Sequence, residues 1–175
     1  MDNLSLSEKI KGVKKIISFS NITIFILILL IFFLDRFTKN KIIDLQLQNT
    51  NTIFINEYVN FDLIWNTGIG FGLLSFDKSL IYNLITSLII AINLLIIYMI
   101  ITTNDIRSYF LVFVLGGSLG NLFDRLYYSA VPDFIDINYK EFHWFIFNVA
   151  DIFITIGIIC LIFAELMNYK KENEK

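Results

Sequence analysis

The sequence predicts a mainly α, polytopic membrane protein with four transmembrane helices. Three observations predict it. Of the 175 residues, 56% are hydrophobic, with a mean hydropathy of +0.67 and a single proline. A soluble domain of this size needs less apolar surface, and a disordered chain could not carry it. The apolar residues gather into four runs, at about 16–34, 80–103, 108–126 and 144–166, each near the roughly 20 residues that cross a bilayer. The first two runs contain no charged residue.

Composition also narrows function. The net charge of −2 and the lack of a basic, aromatic-studded patch exclude nucleic acid as an expected partner. Cys160 is the single cysteine, so no internal disulfide can form, and its place in the last apolar run reads as packing.

In chain order, residues 1–15 are polar and carry Lys9, Lys11, Lys14 and Lys15, which puts the N-terminus in the cytoplasm. No small-x-small cleavage site follows the first run, so it reads as a retained helix and not a signal peptide. Asp35 and Lys39 close it at i and i+4, in the favourable order for a helical ion pair. An ordinary interfacial pair and a functional one fit that spacing equally. Residues 40–79 change character. After polar residues at 46–52, strand-like pieces at 52–55 and 58–65 follow, with Val59, Phe61, Leu63 and Trp65 alternating. Next comes Asn66-Thr67-Gly68-Ile69-Gly70-Phe71-Gly72, whose glycines let backbone turn or lie close to another chain. It lacks the lysine and hydroxyl of a phosphate loop.

The second run ends at a short turn with Asp105 and Arg107. The third closes with Gly116-Gly117-Ser118-Leu119-Gly120-Asn121-Leu122-Phe123-Asp124-Arg125. On a helix, Gly117, Gly120, Asn121 and Asp124 share one face, small, then polar, then charged. Plain helix contact explains the glycines, but lipid offers no partner for the amide and the carboxylate. Residues 127–141 read as a loop in which Pro132 stiffens the backbone before Asp133. The fourth run opens with His143, Trp144, Phe145 and Phe147, an interfacial aromatic belt, and places Asn148, Asp151 and Thr155 on one helical face. A polar tail follows. No repeat or second domain is visible, so 1–175 reads as one domain.

Four spans from a cytoplasmic N-terminus return the C-terminus to the cytoplasm. Asp35, Lys39, Asn66, Asn121, Asp124, Arg125, Asp133, Asn148 and Asp151 then converge near the outer membrane surface. His143 is the only histidine and stands in the aromatic belt, so zinc and serine hydrolysis lack their ligands and base. Carboxylates remain. Two aspartates close together in a water-poor site share a proton, one activating water while the other polarises a carbonyl. Asp133 and Asp151 make a plausible pair, with Asp35, Asp124 and Asp136 as rivals.

Five ordered pieces resemble one family over nearly the whole chain. They are Asp35-x-x-Thr38-Lys39; Asn66-x-Gly68-x-Gly70-Phe71-Gly72; Gly116-Gly117-x-x-Gly120-Asn121-x-x-Asp124-Arg125; Val131-x-Asp133-Phe134; and Phe147-Asn148-x-Ala150-Asp151. The chain resembles the bacterial lipoprotein signal peptidases, signal peptidase II. The resemblance implies an intramembrane aspartic endopeptidase without metal or cofactor. It would act on prolipoproteins whose lipobox cysteine carries diacylglycerol, cutting just before that cysteine. Asp133 and Asp151 would be catalytic. Asp35, Lys39, Asn66, Gly68, Gly120, Asn121, Asp124, Arg125, Asn148 and Ala150 would form the supporting and substrate-binding shell, with Asp124 holding Arg125. The resemblance also implies a small extracytoplasmic β-sheet, a loop over the active site, and residence in the bacterial cytoplasmic (inner) membrane. Membrane lipid is an expected partner and a monomer the expected state. Gly70 departs from the family's usual alanine, and Pro132 fills a variable position. Two rival readings are an ion conduit, disfavoured by the apolar second run, and an assembly subunit whose aspartates serve only packing.

Overall fold

The computed structural model describes residues 19–48, 52–68 and 78–173. In chain order these form α1 (Phe19–Gln48), β1 (Ile53–Asn56), β2 (Val59–Asn66), α2 (Lys78–Thr102), α3 (Arg107–Tyr128), β3 (Val131–Tyr139), β4 (Phe142–His143) and α4 (Val149–Asn173).

The central helix is α3, which packs against α1, α2 and α4. Its small residues allow this. Gly116 faces Ile31 of α1, and Gly117 faces the Ala150 carbonyl of α4. Ile31, Ile96, Ile100, Leu111, Val112 and Leu115 form the buried apolar cluster between them. The outward faces are apolar too. Leu84 is 61% exposed, Leu88 60% and Ile101 74%, so α2 has a greasy surface that water would not tolerate over such an area. Among the described residues, 80–102 and 149–168 are long and apolar enough to cross a membrane by composition. In α1 and α3 the site residues themselves interrupt the apolar stretch.

A four-stranded antiparallel sheet, ordered β1-β2-β3-β4, lies where α1 and α3 end and α4 begins. Phe61 pairs with Ile135, but Ile64 pairs with Asp133, so β2 carries one extra residue there. This bulge bends β2 and aims Asn66 back toward β3. Where β1 runs out, the Gln46 side chain takes over its edge. It accepts from the Leu63 N–H at 3.0 Å and donates to the Phe61 carbonyl at 3.5 Å.

Three boundaries differ from expectation. The first helix does not stop near 34 but continues to Gln48, so Asp35 and Lys39 lie inside it. No glycine or proline breaks it, and Arg36 and Lys39 find a carboxylate partner, Asp124, on α3. The stretch 127–141 is not a loop: α3 runs to Tyr128, Ser129 caps it in the left-handed region, and Val131–Tyr139 is a strand. Pro132 fits there because its fixed φ suits extended backbone. The fourth helix begins at Val149, not 144, and Asn148 precedes it as a cap. The strand-like pieces before Asn66 are the hairpin β1–β2, shifted by one residue. Gly70, Phe71 and Gly72 lie outside the described residues.

Candidate active site

Seven buried or half-buried polar residues from α1, α3, β3 and the start of α4 form one hydrogen-bonded chain, with a lysine, Lys39, as its anchor. Lys39 is fully buried. Its ammonium donates to Asp35 Oδ2 at 2.8 Å, Asn121 Oδ1 at 2.7 Å and Asp124 Oδ2 at 2.7 Å, which uses all three of its donors. Asp35 Oδ1 in turn accepts the Ala150 N–H at 3.0 Å, an amide freed by the first turn of α4. That contact needs a glycine opposite, since a Cβ on Gly120 would stand 2.5 Å from Asp35 Oδ2.

Three asparagines carry this order to two further carboxylates by the same device. In each, the amide oxygen is occupied by a donor, which leaves the NH2 group to face an aspartate. Asn121 Oδ1 takes Lys39, and its Nδ2 donates to Asp151 Oδ1 at 2.8 Å. Asn148 Oδ1 caps α4 by accepting the Asp151 N–H at 3.1 Å, and its Nδ2 donates to Asp133 Oδ1 at 2.5 Å. Asn66 Oδ1 accepts the Gly68 N–H at 2.7 Å, and its Nδ2 donates to Asp133 Oδ2 at 2.9 Å. The Asn148 N–H completes the set, donating to Asp151 Oδ2 at 3.0 Å, so Asn148 and Asp151 form a reciprocal capping box. Every oxygen of Asp133 and Asp151 receives one protein donor and keeps a lone pair for a proton or water.

Asp133 and Asp151 border one cavity of about 210 Å³ with Asn66, Asn121 and Arg125. Burial pushes the Asp133 carboxyl up to about 6, with the nearby Asp151 charge adding to this and the Asn66 and Asn148 hydrogen bonds opposing it. The three rival aspartates are occupied elsewhere. Asp35 and Asp124 hold Lys39, and Asp136 lies 2.9 Å from His143 Nδ1. A larger cavity of about 520 Å³ lies at the far end of α3 and α4, by Arg107 and Phe163, where Arg107 is already clamped by Asp105 and Glu165.

One expected contact is corrected. Asp124 does not hold Arg125. It faces α1, where it pairs with Lys39 and with Arg36, whose guanidinium also lies 5.1 Å from the Phe123 ring centre. A carboxylate one residue from an arginine on a helix points about 100° away from it, so adjacency in sequence was a poor guide. Arg125 instead lies over the Tyr82 ring at 5.6 Å, and one of its Nη atoms is buried with no hydrogen-bond partner among the described residues. Gly68 makes room for it. Its φ is +76°, and a Cβ there would come within 2.9 Å of both Nη atoms. Sequence reasoning passed over Arg36, Gln46 and Tyr82. A charge just past an apolar run was the only signal for Arg36, and nothing local marked the other two.

Comparison with known proteins gives the family of the chain. A family model described as signal peptidase (SPase) II matches residues 27–167. A lipoprotein signal peptidase of Pelagibacter ubique (strain HTCC1062) is 51% identical over 152 residues, 86% of this chain and 92% of that one. One from Francisella tularensis subsp. novicida (strain U112) is 39% identical over 153 residues, 84% and 93% of the two chains. Two solved structures of bacterial membrane enzymes, obtained by the in meso method, are similar in fold. One, at 2.3 Å, has a TM-score of 0.65 and 25% identity, covering 87% of this chain and 93% of that one. The other, at 1.9 Å, has a TM-score of 0.66 and 30% identity, covering 82% and 92%. The chain belongs to the signal peptidase II family.

Proposed function

We propose that the protein is an intramembrane aspartic endopeptidase. It removes the signal peptide from diacylglyceryl-modified prolipoproteins, cutting just before the lipidated cysteine. The observation that carries this reading is the pair Asp133 and Asp151 on the wall of one cavity, bridged by the single residue Asn148.

The chemistry follows from that pairing. Two carboxyl groups on one cavity wall, one raised by burial to about 6, hold one proton between them at about pH 6 and below. The ionised member draws a proton from a water molecule, and the water oxygen attacks the scissile carbonyl. The protonated member donates to the carbonyl oxygen as it gains charge, and a proton then passes to the leaving amine. The asparagine donors hold both carboxylates in place throughout, with no rearrangement needed as charge moves. The Arg125 Nη that has no partner among the described residues is suited to a carbonyl of the substrate backbone.

The four helices read as spans of a single domain in the bacterial cytoplasmic membrane, with both termini cytoplasmic and the cavity near the outer face. A lipidated cysteine stays in the bilayer, so its peptidase must carry the aspartates to the membrane surface. The test is cleavage of a diacylglyceryl prolipoprotein by the purified protein in detergent, with mass spectrometry of the products. The expected product begins at the lipidated cysteine. Cleavage elsewhere, or equal cleavage of an unlipidated precursor, contradicts the substrate assignment.

A further inference from the structure

One buried polar side chain on α2 takes no part in the network above. Asn93 is 4% exposed, and neither its Oδ1 nor its Nδ2 has a hydrogen-bond partner among the described residues. It belongs to the seam that α2 turns toward α3: Tyr82, Thr86, Ile89, Asn93, Ile96 and Ile100, spaced by fours and threes. The other polar members of that seam are satisfied. The Tyr82 hydroxyl donates to the Arg125 carbonyl at 2.7 Å, and the Thr86 hydroxyl donates to the Tyr82 carbonyl at 2.9 Å. A buried amide with both ends free is costly inside a helix bundle of this apolarity, and native structures pair such groups with protein or with ordered water.

The place of Asn93 in the bundle is informative. Tyr82 meets Arg125, and Ile89 shares the wall of the catalytic cavity with Ser118, so α2 and α3 run antiparallel in one register. Asn93 lies one turn, about 6 Å, beyond Ile89. Deeper still, Ile96 and Ile100 close with Leu111 and Leu115 into the apolar cluster. Side chains on a helix lean toward its N-terminus. On α2 this inclines Asn93 toward Ile89 and the cavity. On α3, whose N-terminus is at the opposite end, it inclines Ser118 toward Asn93. Asn93 therefore has an apolar stop on one side and the polar cavity on the other.

We infer that Asn93, together with Ser118, holds water at the inner end of the catalytic cavity, and that this water positions the nucleophile, a refinement that rests on the peptidase reading above. Water fits the place: it donates to Oδ1, accepts from Nδ2, and is small enough for so buried a position. A peptide would have to part α2 from α3 to arrive there. The reaction gives such water a use. Cleavage of one peptide bond consumes one water: its oxygen bonds to the carbonyl carbon, the C–N bond breaks, and the amine takes a proton. A substrate lying across the cavity covers its outer side. Behind the substrate, Ile89, Val131 and Ile154 are apolar wall that fixes no water. Asn93 and Ser118 supply the fixed polar groups, from which bridging water reaches Asn121 and the aspartates. Asn93 is thus a positioning residue that acts through water.

The test has a binding arm and a kinetic arm. In protein whose asparagine side chains carry heavy nitrogen, the Asn93 NH2 signal, identified by its loss in Asn93→Leu, should show a nuclear Overhauser effect to water. A signal without that effect overturns the proposal whatever the activity. The kinetic arm measures kcat and KM on a diacylglyceryl prolipopeptide. Asn93→Leu keeps the volume and removes both polar ends. It should lower kcat about tenfold, leave KM within about twofold, and melt no lower than wild type. Asn93→Gln, which keeps the amide, should hold kcat within about threefold of wild type. Adding Ser118→Ala to Asn93→Leu should lower kcat no further than the more damaging single change, because both act on one water. Unchanged kcat in Asn93→Leu overturns the proposal, and so does full additivity with Ser118→Ala. Asn93→Met, unbranched and adaptable, is read in the same way should Asn93→Leu fail to fold. Wild-type protein inert on the substrate overturns the peptidase reading and with it the role in the reaction, while the water contact is judged by the binding arm alone.

Discussion

Asn148 performs two separable jobs, and separating them tests the physical account of the site. Its Oδ1 caps α4, and its Nδ2 donates to Asp133. Asn148→Ala loses both. Asn148→Ser keeps a capping oxygen and the backbone donor to Asp151, but a serine is too short to reach Asp133. A hydrogen bond to a charged, buried carboxylate contributes about 1.5–3 kcal/mol, and 1.36 kcal/mol corresponds to one pH unit. That bond favours the ionised form, so its loss raises the Asp133 pKa from its value of about 6. Both variants should therefore show a kcat/KM–pH profile moved to higher pH by about one unit or more, measured on a lipidated fluorogenic peptide. Both variants lose the stabilising bond to Asp133, and Asn148→Ala should be about 1 kcal/mol less stable than Asn148→Ser, the usual contribution of an N-cap. A lowered rate with an unmoved profile in Asn148→Ser would show that Asn148 does not tune the pair.

Three further outcomes follow. Lys39→Met leaves Asp35 and Asp124 without their shared cation in a fully buried place, and should destabilise the fold by about 3–5 kcal/mol in a detergent unfolding assay; wild-type stability would contradict the network. Gly68→Ala forces a side chain onto positive φ and against Arg125, so kcat/KM should fall about tenfold with the melting temperature nearly unchanged, because the strain falls on a cavity residue and not on the bundle. Because the Asp133 pKa is raised on folding from 3.8 to about 6, the folded state holds its proton more tightly than the unfolded one. Wild-type stability should thus fall as pH rises from about 4 to 6, by about 3 kcal/mol at most, and Asp133→Asn should flatten that slope. An unchanged slope would place the titration elsewhere.

Much of the fold was legible because apolar runs and strand alternation are local signals. The four helices and the β1–β2 hairpin came from residues that report their own environment, such as Val59, Phe61, Leu63 and Trp65. The boundaries that failed depend on distant partners. Asp35 and Lys39 looked like a helix end because nothing nearby explains charge inside an apolar helix; the explanation, Asp124, is 85 residues beyond Lys39. Asn148 looked like one more residue on a helical face, whereas its bond to the Asp151 amide makes it the point where the helix starts. Topology did predict that the polar residues of four segments meet at one end of the bundle, since alternating spans leave them no other common level. It could not say which aspartates pair with which cations. Asp35, Asp124, Asp133, Asp136 and Asp151 are chemically alike, and only position separates the Lys39-bound, the His143-bound and the cavity-lining ones.

The central claim is that Asp133 and Asp151 together perform the cleavage. The most direct measurement is single-turnover cleavage of a diacylglyceryl prolipoprotein by wild type, Asp133→Asn, Asp151→Asn and Asp136→Asn, each shown to be folded, with a chelator present. The account predicts loss of at least about a thousandfold in each of the first two variants, substantial activity in Asp136→Asn, and no effect of the chelator. Near-wild-type cleavage by either Asp133→Asn or Asp151→Asn would contradict it.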